Sequence, residues 1–286
     1  MNARRCVTAV VVTYNSAETI ARCVMSLHDT APAWIDRVIV VDNSSSDNTV
    51  SVLKALDGDL TILTNERNFG FGAACNRGAR GAATDYLLFL NPDAALEPNC
   101  LAELVRFLDA REAASCCGPR IQDETGRPDP AARRGFPTPW NALGRLFFVE
   151  KLFPRSRWFA SYSMPWLGYE REVRVDTILG ACMLVRRSAF DRISGFDEDY
   201  FLFGEDIDLC KRFSDLKLES WFVPTARLLH RGGHSMKSET RVARREFYRA
   251  MRIYMSKHWR DLPTPAYRLI EMGIGLRALV DRLIGH

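Results

Sequence analysis

Over the first hundred residues, short continuous apolar runs alternate with amphipathic stretches. Residues 7–12, 37–41, 61–64 and 86–90 are aliphatic and largely β-branched, and too short for helices, so they predict strands buried on both faces. Between them the spacing predicts helices. One runs from Ala17 to about His28 with Asn15 or Ser16 as its cap, a second from Ser46 or Asp47 to Leu56, and a third over 70–80. Strands alternating with helices of this length imply right-handed crossovers and a mainly parallel sheet, an α/β fold.

The regularity breaks after about Arg120. Residues 122–139 are polar and punctuated by proline and glycine, which predicts a loop. The stretch 140–166, rich in aromatics and arginine, carries no readable period. Order returns with a strand over 177–185, a helix from Glu205 through Phe213 and a strand over 220–223. From Glu239 the pattern is helical, with Phe247, Met251 and Tyr254 on one face. A last segment sets Leu269, Met272, Leu276, Val280 and Leu283 along one stripe beside Arg268, Arg277 and Arg282. The expected organisation is a domain over 1–238, in two halves (1–110 and 111–238), followed by a basic amphipathic extension over 239–286.

At 286 residues and 47% hydrophobic composition the chain can bury a sizeable core. Its net charge of +4 is unevenly shared. From Thr225 onward 13 Lys/Arg face 5 Asp/Glu, a balance of +8, which leaves the first 224 residues at −4. A basic tail suits anionic phosphate, on a lipid surface, a pyrophosphate or a nucleic acid; a solvated helical face accounts for the same charge. Without a recognised nucleic-acid module, nucleic acid is not expected as a partner. Eight cysteines show no CxxC spacing and several sit in apolar runs, as reduced core thiols do. With no export-type leader before Val7 and no apolar stretch near 20 residues, the expected location is cytoplasmic, with membrane contact from the surface alone.

Carboxylates and amides cluster where strands end. Asp42 and Asn43 close one strand beside a serine-rich turn, and Thr13, Tyr14 and Asn15 close its neighbour. A carboxylate there can accept from a base N–H or a ribose hydroxyl, and an Asx turn explains the same residues. Gly70 and Gly72 give half of a dinucleotide fingerprint, but Cys75 stands where its third glycine belongs. Arg67 and Asn68 facing a nucleotide diphosphate is the better reading. Asn91-Pro92-Asp93 after an apolar strand suits a hard divalent cation, or an ordinary Asx-Pro turn. Glu205, Asp206 and Asp208 open a helix amid Phe196, Tyr200, Phe201 and Phe203. Three acids exceed what a helix dipole calls for, and apolar surroundings raise a carboxyl pKa toward general-base work. His230 and His234 flank Arg231-Gly232-Gly233, and imidazole is a common metal ligand; His230 gains that role only in company with Asp93.

In this order the motifs resemble the family 2 glycosyltransferases, inverting nucleotide-sugar enzymes of the GT-A fold. The likeness rests on Thr13-Tyr14-Asn15, Asp42-Asn43-Ser44-Ser45-Ser46-Asp47, Arg67-Asn68-Phe69-Gly70 with Asn76, and Asn91-Pro92-Asp93. It continues through Gly180-Ala181-Cys182, Phe196-Asp197-Glu198-Asp199, Glu205-Asp206 and the segment from His230 to Ser235, over 7–110 and 177–260. The Asn-Pro-Asp and Gly-Glu-Asp variants look most like the rhamnosyltransferase-like branch. The resemblance implies that Asp42 binds the nucleobase, and that Arg67 and Asn68 contact the nucleotide. Asp93 with His230 would hold Mg²⁺ or Mn²⁺, and Asp206 would be the general base with Glu205 beside it. Thr13, Tyr14, Asn15, Asn43, Gly70, Asn76, Asn91, Gly180 and Ala181 would complete the donor site. One departure is Asn91, where Asp-x-Asp families carry an acid, so the metal is offered one carboxylate rather than two. The implied donor is dTDP-rhamnose, or a UDP-sugar for another hexosyltransferase of the same fold. The implied acceptor is a glycan, lipid-linked on the reading of the basic stripe, and a homodimer is an open expectation. A nucleotidyltransferase would carry a glycine-rich phosphate loop after the first strand, where Thr13-Tyr14-Asn15 stands instead. A non-catalytic glycan- or nucleotide-binding protein would have no use for Glu205-Asp206.

Overall fold

A computed structural model describes residues 5–146, 152, 153, 156, 158, 160–231 and 240–284. Its centre is a nine-stranded mixed sheet. The first half follows the parallel pattern expected. Strands β1 (Val7–Thr13), β2 (Ile35–Asp42), β3 (Leu60–Thr64) and β4 (Tyr86–Leu90) stand in the order β3-β2-β1-β4, all parallel. Helices α1 (Ile20–Thr30), α2 (Thr49–Lys54) and α3 (Phe71–Ala79) make the crossovers. β1 and β4 are buried along their whole length because helices cover both faces, which is why they read as unbroken apolar runs rather than alternating ones.

The second half departs from parallel pairing. β10 (Cys182–Arg186) runs antiparallel between β4 and β6 (Ala114–Gln122), and β6 is parallel to β11 (Glu219–His230). β11 extends well beyond the expected 220–223. Its register against β6 shifts between Val223 and Arg227, where Pro224 offers no N–H to a ladder. Before the shift its other edge pairs with β8 (Val173–Val175), and after it with β5 (Ala94–Leu96). The strand expected over 177–185 is two pieces. β9 (Thr177–Ile178) leaves the sheet to pair with β7 (Arg133–Arg134), and 179–181 form the bend before β10. Helix α4 (Cys100–Asp109) lies over β6 and β11, α5 (Pro139–Leu146) occupies part of the stretch without a period, and α6 (Arg187–Arg192) follows β10. All eight cysteines are buried free thiols, and burial raises the pKa of Cys23, Cys75 and Cys182, as suits packing residues.

Helix α7 (Glu205–Asp215) begins at Gly204, in the left-handed region like Phe203 before it (φ 84° and 68°). This turn aims the first acids of α7 inward. The extension forms two helices, α8 (Thr240–His258) and α9 (Thr264–Ile284), joined through Tyr248, Met255, Ile270 and Ile274. They dock on the body. His258 Nε2 lies 2.7 Å from Asp208 Oδ1, and Lys257 bridges Asp197 and Asp199. Val280 is half-buried, whereas Leu269, Met272, Leu276 and Leu283 are exposed, joined there by Leu279. Among the described residues no helix is long and apolar enough to cross a membrane.

One glycine fixes the geometry between α3 and α7. At Gly70 φ is +89°, and a Cβ there would lie 2.3 Å from the Phe201 carbonyl oxygen, which accepts the Phe71 N–H. Both backbone strain and a clash with main chain oppose any side chain. Gly70→Ala is therefore expected to destabilise the fold by about 1–3 kcal/mol, read as a lowered denaturation midpoint at unchanged m-value. A midpoint equal to the wild type would show that the 201 loop yields freely.

Candidate active site

One cleft of about 980 Å³ opens over the carboxyl ends of β1 and β4 and is lined by residues from both halves of the chain. Asp93 and His230 meet on one wall because β11 pairs with β5, which sets His230 opposite Ala94. The Arg231 N–H then donates to the Asp93 carbonyl at 3.2 Å. His230 Nε2 stands 3.2 Å from Asp93 Oδ1, yet it is misaligned for a hydrogen bond and has no other partner among the described residues. Burial lowers the His230 pKa and Asp93 more than offsets it, so the imidazole titrates above its ordinary range. A carboxylate oxygen and an imidazole nitrogen 3.2 Å apart in the lining of one cleft fit two ligands of a divalent cation, which takes its remaining ligands from waters and substrate phosphates. Among the described residues no third His, Cys, Asp or Glu joins them. His234 and Ser235 lie outside the described residues.

Asp206 also lines the cleft and is nearly inaccessible at 4% exposure. Its Oδ2 accepts from the Gly180 N–H at 2.9 Å and from Arg134 Nη2 at 2.6 Å. The adjoining Ala181 carbonyl accepts the Asn91 N–H at 2.9 Å, so the bend at 179–181 ties the candidate base to the Asn91-Pro92-Asp93 turn. Arg134 is buried and comes from the segment expected to be a plain loop. Burial acts to lower its pKa, and Asp206 with Tyr162 more than compensates, so the guanidinium is held charged. Arg134, Tyr162 and Asp129 all line the cleft, and the sequence reading had named none of them. A local signal for Arg134 is weak, because one of two adjacent arginines in a proline-rich segment looks like a solvated one.

Glu205, the second acid, packs toward α3 with Oε2 unpartnered. Burial and the adjacent Asp206 raise its pKa to about 8. A carboxyl whose folded pKa lies above its unfolded value near 4.5 binds its proton more tightly in the folded state. Stability is thus lost as pH rises from about 4.5 to about 8, and no further above that. Glu205→Gln is expected to remove this loss, so its melting temperature relative to wild type should climb across the same window. A difference that does not vary with pH would mean that Glu205 ionises normally.

The donor-side residues separate into scaffold and lining. Tyr14, Asn15, Asn43, Asn68, Gly70, Asn91, Gly180 and Ala181 line the cleft. Several of their amides are already spent on the loops. Asn15 Oδ1 accepts the Ser46 N–H, Asn43 Nδ2 donates to the Gly70 carbonyl, and Asn68 Oδ1 accepts the Gly70 N–H. Asn76 corrects its expected place in the donor site. It does not line the cleft, and its amide is engaged by the Phe196 N–H and carbonyl and by Glu198. Arg67 likewise stands outside the lining, exposed and stacked on Phe69 at 4.7 Å. Thr13 and Asp42 lie beneath the floor, paired in register, each with a buried oxygen lacking a partner (Thr13 Oγ1 and Asp42 Oδ1). Unpaired buried acceptors are costly, and here two neighbour each other at the site.

Comparison with known proteins agrees with this layout. The profile described as Glycosyl transferase family 2 matches residues 8–194, and one described as N-terminal domain of galactosyltransferase matches 167–258. The chain is 32% identical over 238 residues to the N-acetylglucosaminyl-diphospho-decaprenol L-rhamnosyltransferase of Mycobacterium tuberculosis, covering 79% of this chain and 76% of that protein. It is 30% identical over 159 residues to Rhamnosyltransferase WbbL of Escherichia coli, covering 56% of this chain and 57% of that one. Among solved structures, the mannosyltransferase PcManGT of Pyrobaculum calidifontis, in complex with GDP-Man and Mn²⁺, superposes with a TM-score of 0.59. It is 18% identical, covering 94% of this chain and 69% of that one, and supports the GT-A fold. The alternating β/α half, the cleft at its strand ends and the matched profile place the chain in glycosyl transferase family 2.

Proposed function

We propose that this glycosyltransferase moves L-rhamnose, with inversion, from dTDP-rhamnose to a lipid-linked glycan. The observation that carries the reading is that Asp93, His230 and Asp206, from three distant parts of the chain, line one cleft. A sugar diphosphate spanning it would set the leaving group against Asp93 and His230 and the anomeric carbon toward Asp206. The acceptor hydroxyl attacks from the face opposite the nucleotide, and its proton passes to Asp206. Asp93 and His230 would hold Mg²⁺ or Mn²⁺, which when bound would supply Lewis-acid neutralisation of the departing diphosphate. Arg134 holds Asp206 in place until a substrate phosphate or hydroxyl competes for its guanidinium.

The donor sugar rests on the two rhamnosyltransferase relatives, and the acceptor on the first of them, whose name specifies a diphospho-decaprenol. Peripheral membrane contact at the cytoplasmic face rests on the basic helical pair. Incubation with N-acetylglucosaminyl-diphospho-lipid, Mn²⁺ and a panel of nucleotide sugars tests the reading. Acceptor-dependent dTDP release from dTDP-rhamnose is expected. Release from a UDP-sugar alone would assign a different hexosyl donor, and release from none would remove the transferase reading of the site.

A further inference from the structure

The cleft does not stop at the polar centre. Past Asp206 it continues between the Phe201–Gly204 turn and the inner face of α8, and it reaches α9 at Ile270 and Ile274. This arm is lined mainly by apolar and aromatic side chains, with Arg277 and Asp281 at its α9 end. Phe247, on its rim, is 44% exposed and meets Phe203 edge-on at 6.1 Å. Met251, one turn further along α8, also lines it. A donor needs none of this surface, because its base, ribose and diphosphate are polar and their candidate contacts lie at the strand ends.

The outer surface of the same helices shows where the arm leads. On α9 the exposed apolar residues Leu269, Met272, Leu276, Leu279 and Leu283 recur at alternating steps of three and four. On α8, Arg241, Arg245, Arg249 and Arg252 form an exposed ridge on one face, and Arg252 reaches across to Gly275 of α9. Steps of three and four also suit a helical seam with a second copy. Twofold pairing through this face would bring the two arginine ridges together, which opposes it, whereas an anionic lipid surface complements both the stripe and the ridge.

We propose that the apolar arm, walled by Phe201, Phe203, Phe247, Met251 and Ile274, seats the hydrocarbon chain of a lipid-diphosphate acceptor. The chain would run from the sugar at Asp206 to the membrane-facing helices. The assignment rests on the transferase reading above and adds to it the path of the acceptor. The catalytic groups handle the acceptor sugar, and α8 senses the lipid. Each methylene moved from water into such a groove is worth about fourfold in affinity (about 0.8 kcal/mol), so chain length should matter steeply until the arm is filled.

The test uses two N-acetylglucosaminyl diphosphates that differ only in a methyl or a farnesyl ester, with the full-length protein. Calorimetry without donor is expected to give at least about tenfold tighter binding of the farnesyl compound, with a negative heat-capacity change. Phe247→Ser, a substitution at a half-exposed rim, and Met251→Gln should each bring the ratio of the two affinities toward one. Equal binding of both compounds to the wild type, or a ratio that survives in both variants, overturns the groove. Tight chain-length-dependent binding without sugar transfer from any donor would instead leave the groove standing and remove the transferase reading.

Discussion

Asp206→Asn is expected to lower turnover by about 10²–10⁴-fold, the contribution of a positioned general base, while the donor still binds within a few-fold of the wild type. Asparagine keeps the shape and still accepts the Gly180 N–H, but it cannot take the acceptor's proton. The substitution also leaves the Arg134 guanidinium buried without its counter-charge, which costs stability. Turnover should therefore be measured well below the variant's own melting temperature, at saturating donor and acceptor, beside calorimetric donor affinity. Loss of turnover with retained affinity fits the role. Turnover like that of the wild type would take the proton away from Asp206, and loss of both activity and donor binding would make it a structural residue. Glu205→Gln separates the adjacent acids, since a neutral amide on the α3 side should leave the base where it is.

Asp93→Ala should abolish the metal dependence of donor binding. Two side chains, one carboxylate and one imidazole, are all that the described residues offer a cation here, so the loss of one leaves no site worth the name. Disturbing even the outer shell of a metal site weakens affinity about 10–100-fold, and removal of a direct ligand should do at least as much. In titrations of dTDP with and without Mn²⁺, the wild type should bind more tightly with the ion and the variant equally in both. A variant that kept the full response to Mn²⁺ would move the ion elsewhere in the cleft. Asn91 sharpens this expectation, because it stands where a second carboxylate would provide a reserve ligand.

The first half of the fold was legible because β1 and β4 are wholly covered and β2 is covered over its last five residues, so burial is written as an apolar run that needs no partner to be recognised. The second half was not, for reasons that differ element by element. β6 contains two cysteines, Gly118 and Pro119, and it is a strand by virtue of its pairings with β10 and β11. β11 was cut short at Pro224, although the chain absorbs that proline as a register shift and continues to His230. α4 begins at Asn99, in the left-handed region and without a side-chain cap, so its start lacked the usual signal. The acids of the site were visible as motifs, but their organisers were not. Arg134, Tyr162 and the bend at 179–181 act across long separations, and nothing in their immediate neighbours marks them. Asn76 shows the opposite error, since a polar residue inside a motif had been credited to the ligand when it holds up the 196–198 turn.

The pairing of β5 with β11 has a consequence for how the protein comes into being. Asp93 emerges early in synthesis and His230 late, and they are held together by a ladder between β5, which directly follows Asp93, and the end of β11 at His230. That closure is among the longest loops the chain must form, a high-contact-order event of the kind that slows folding. A nascent chain lacking β11 would own the strand-end loops of the first half, yet not the proposed pair of metal ligands. On the proposed site, the onset of ion binding during refolding would be a clock for completion of the sheet.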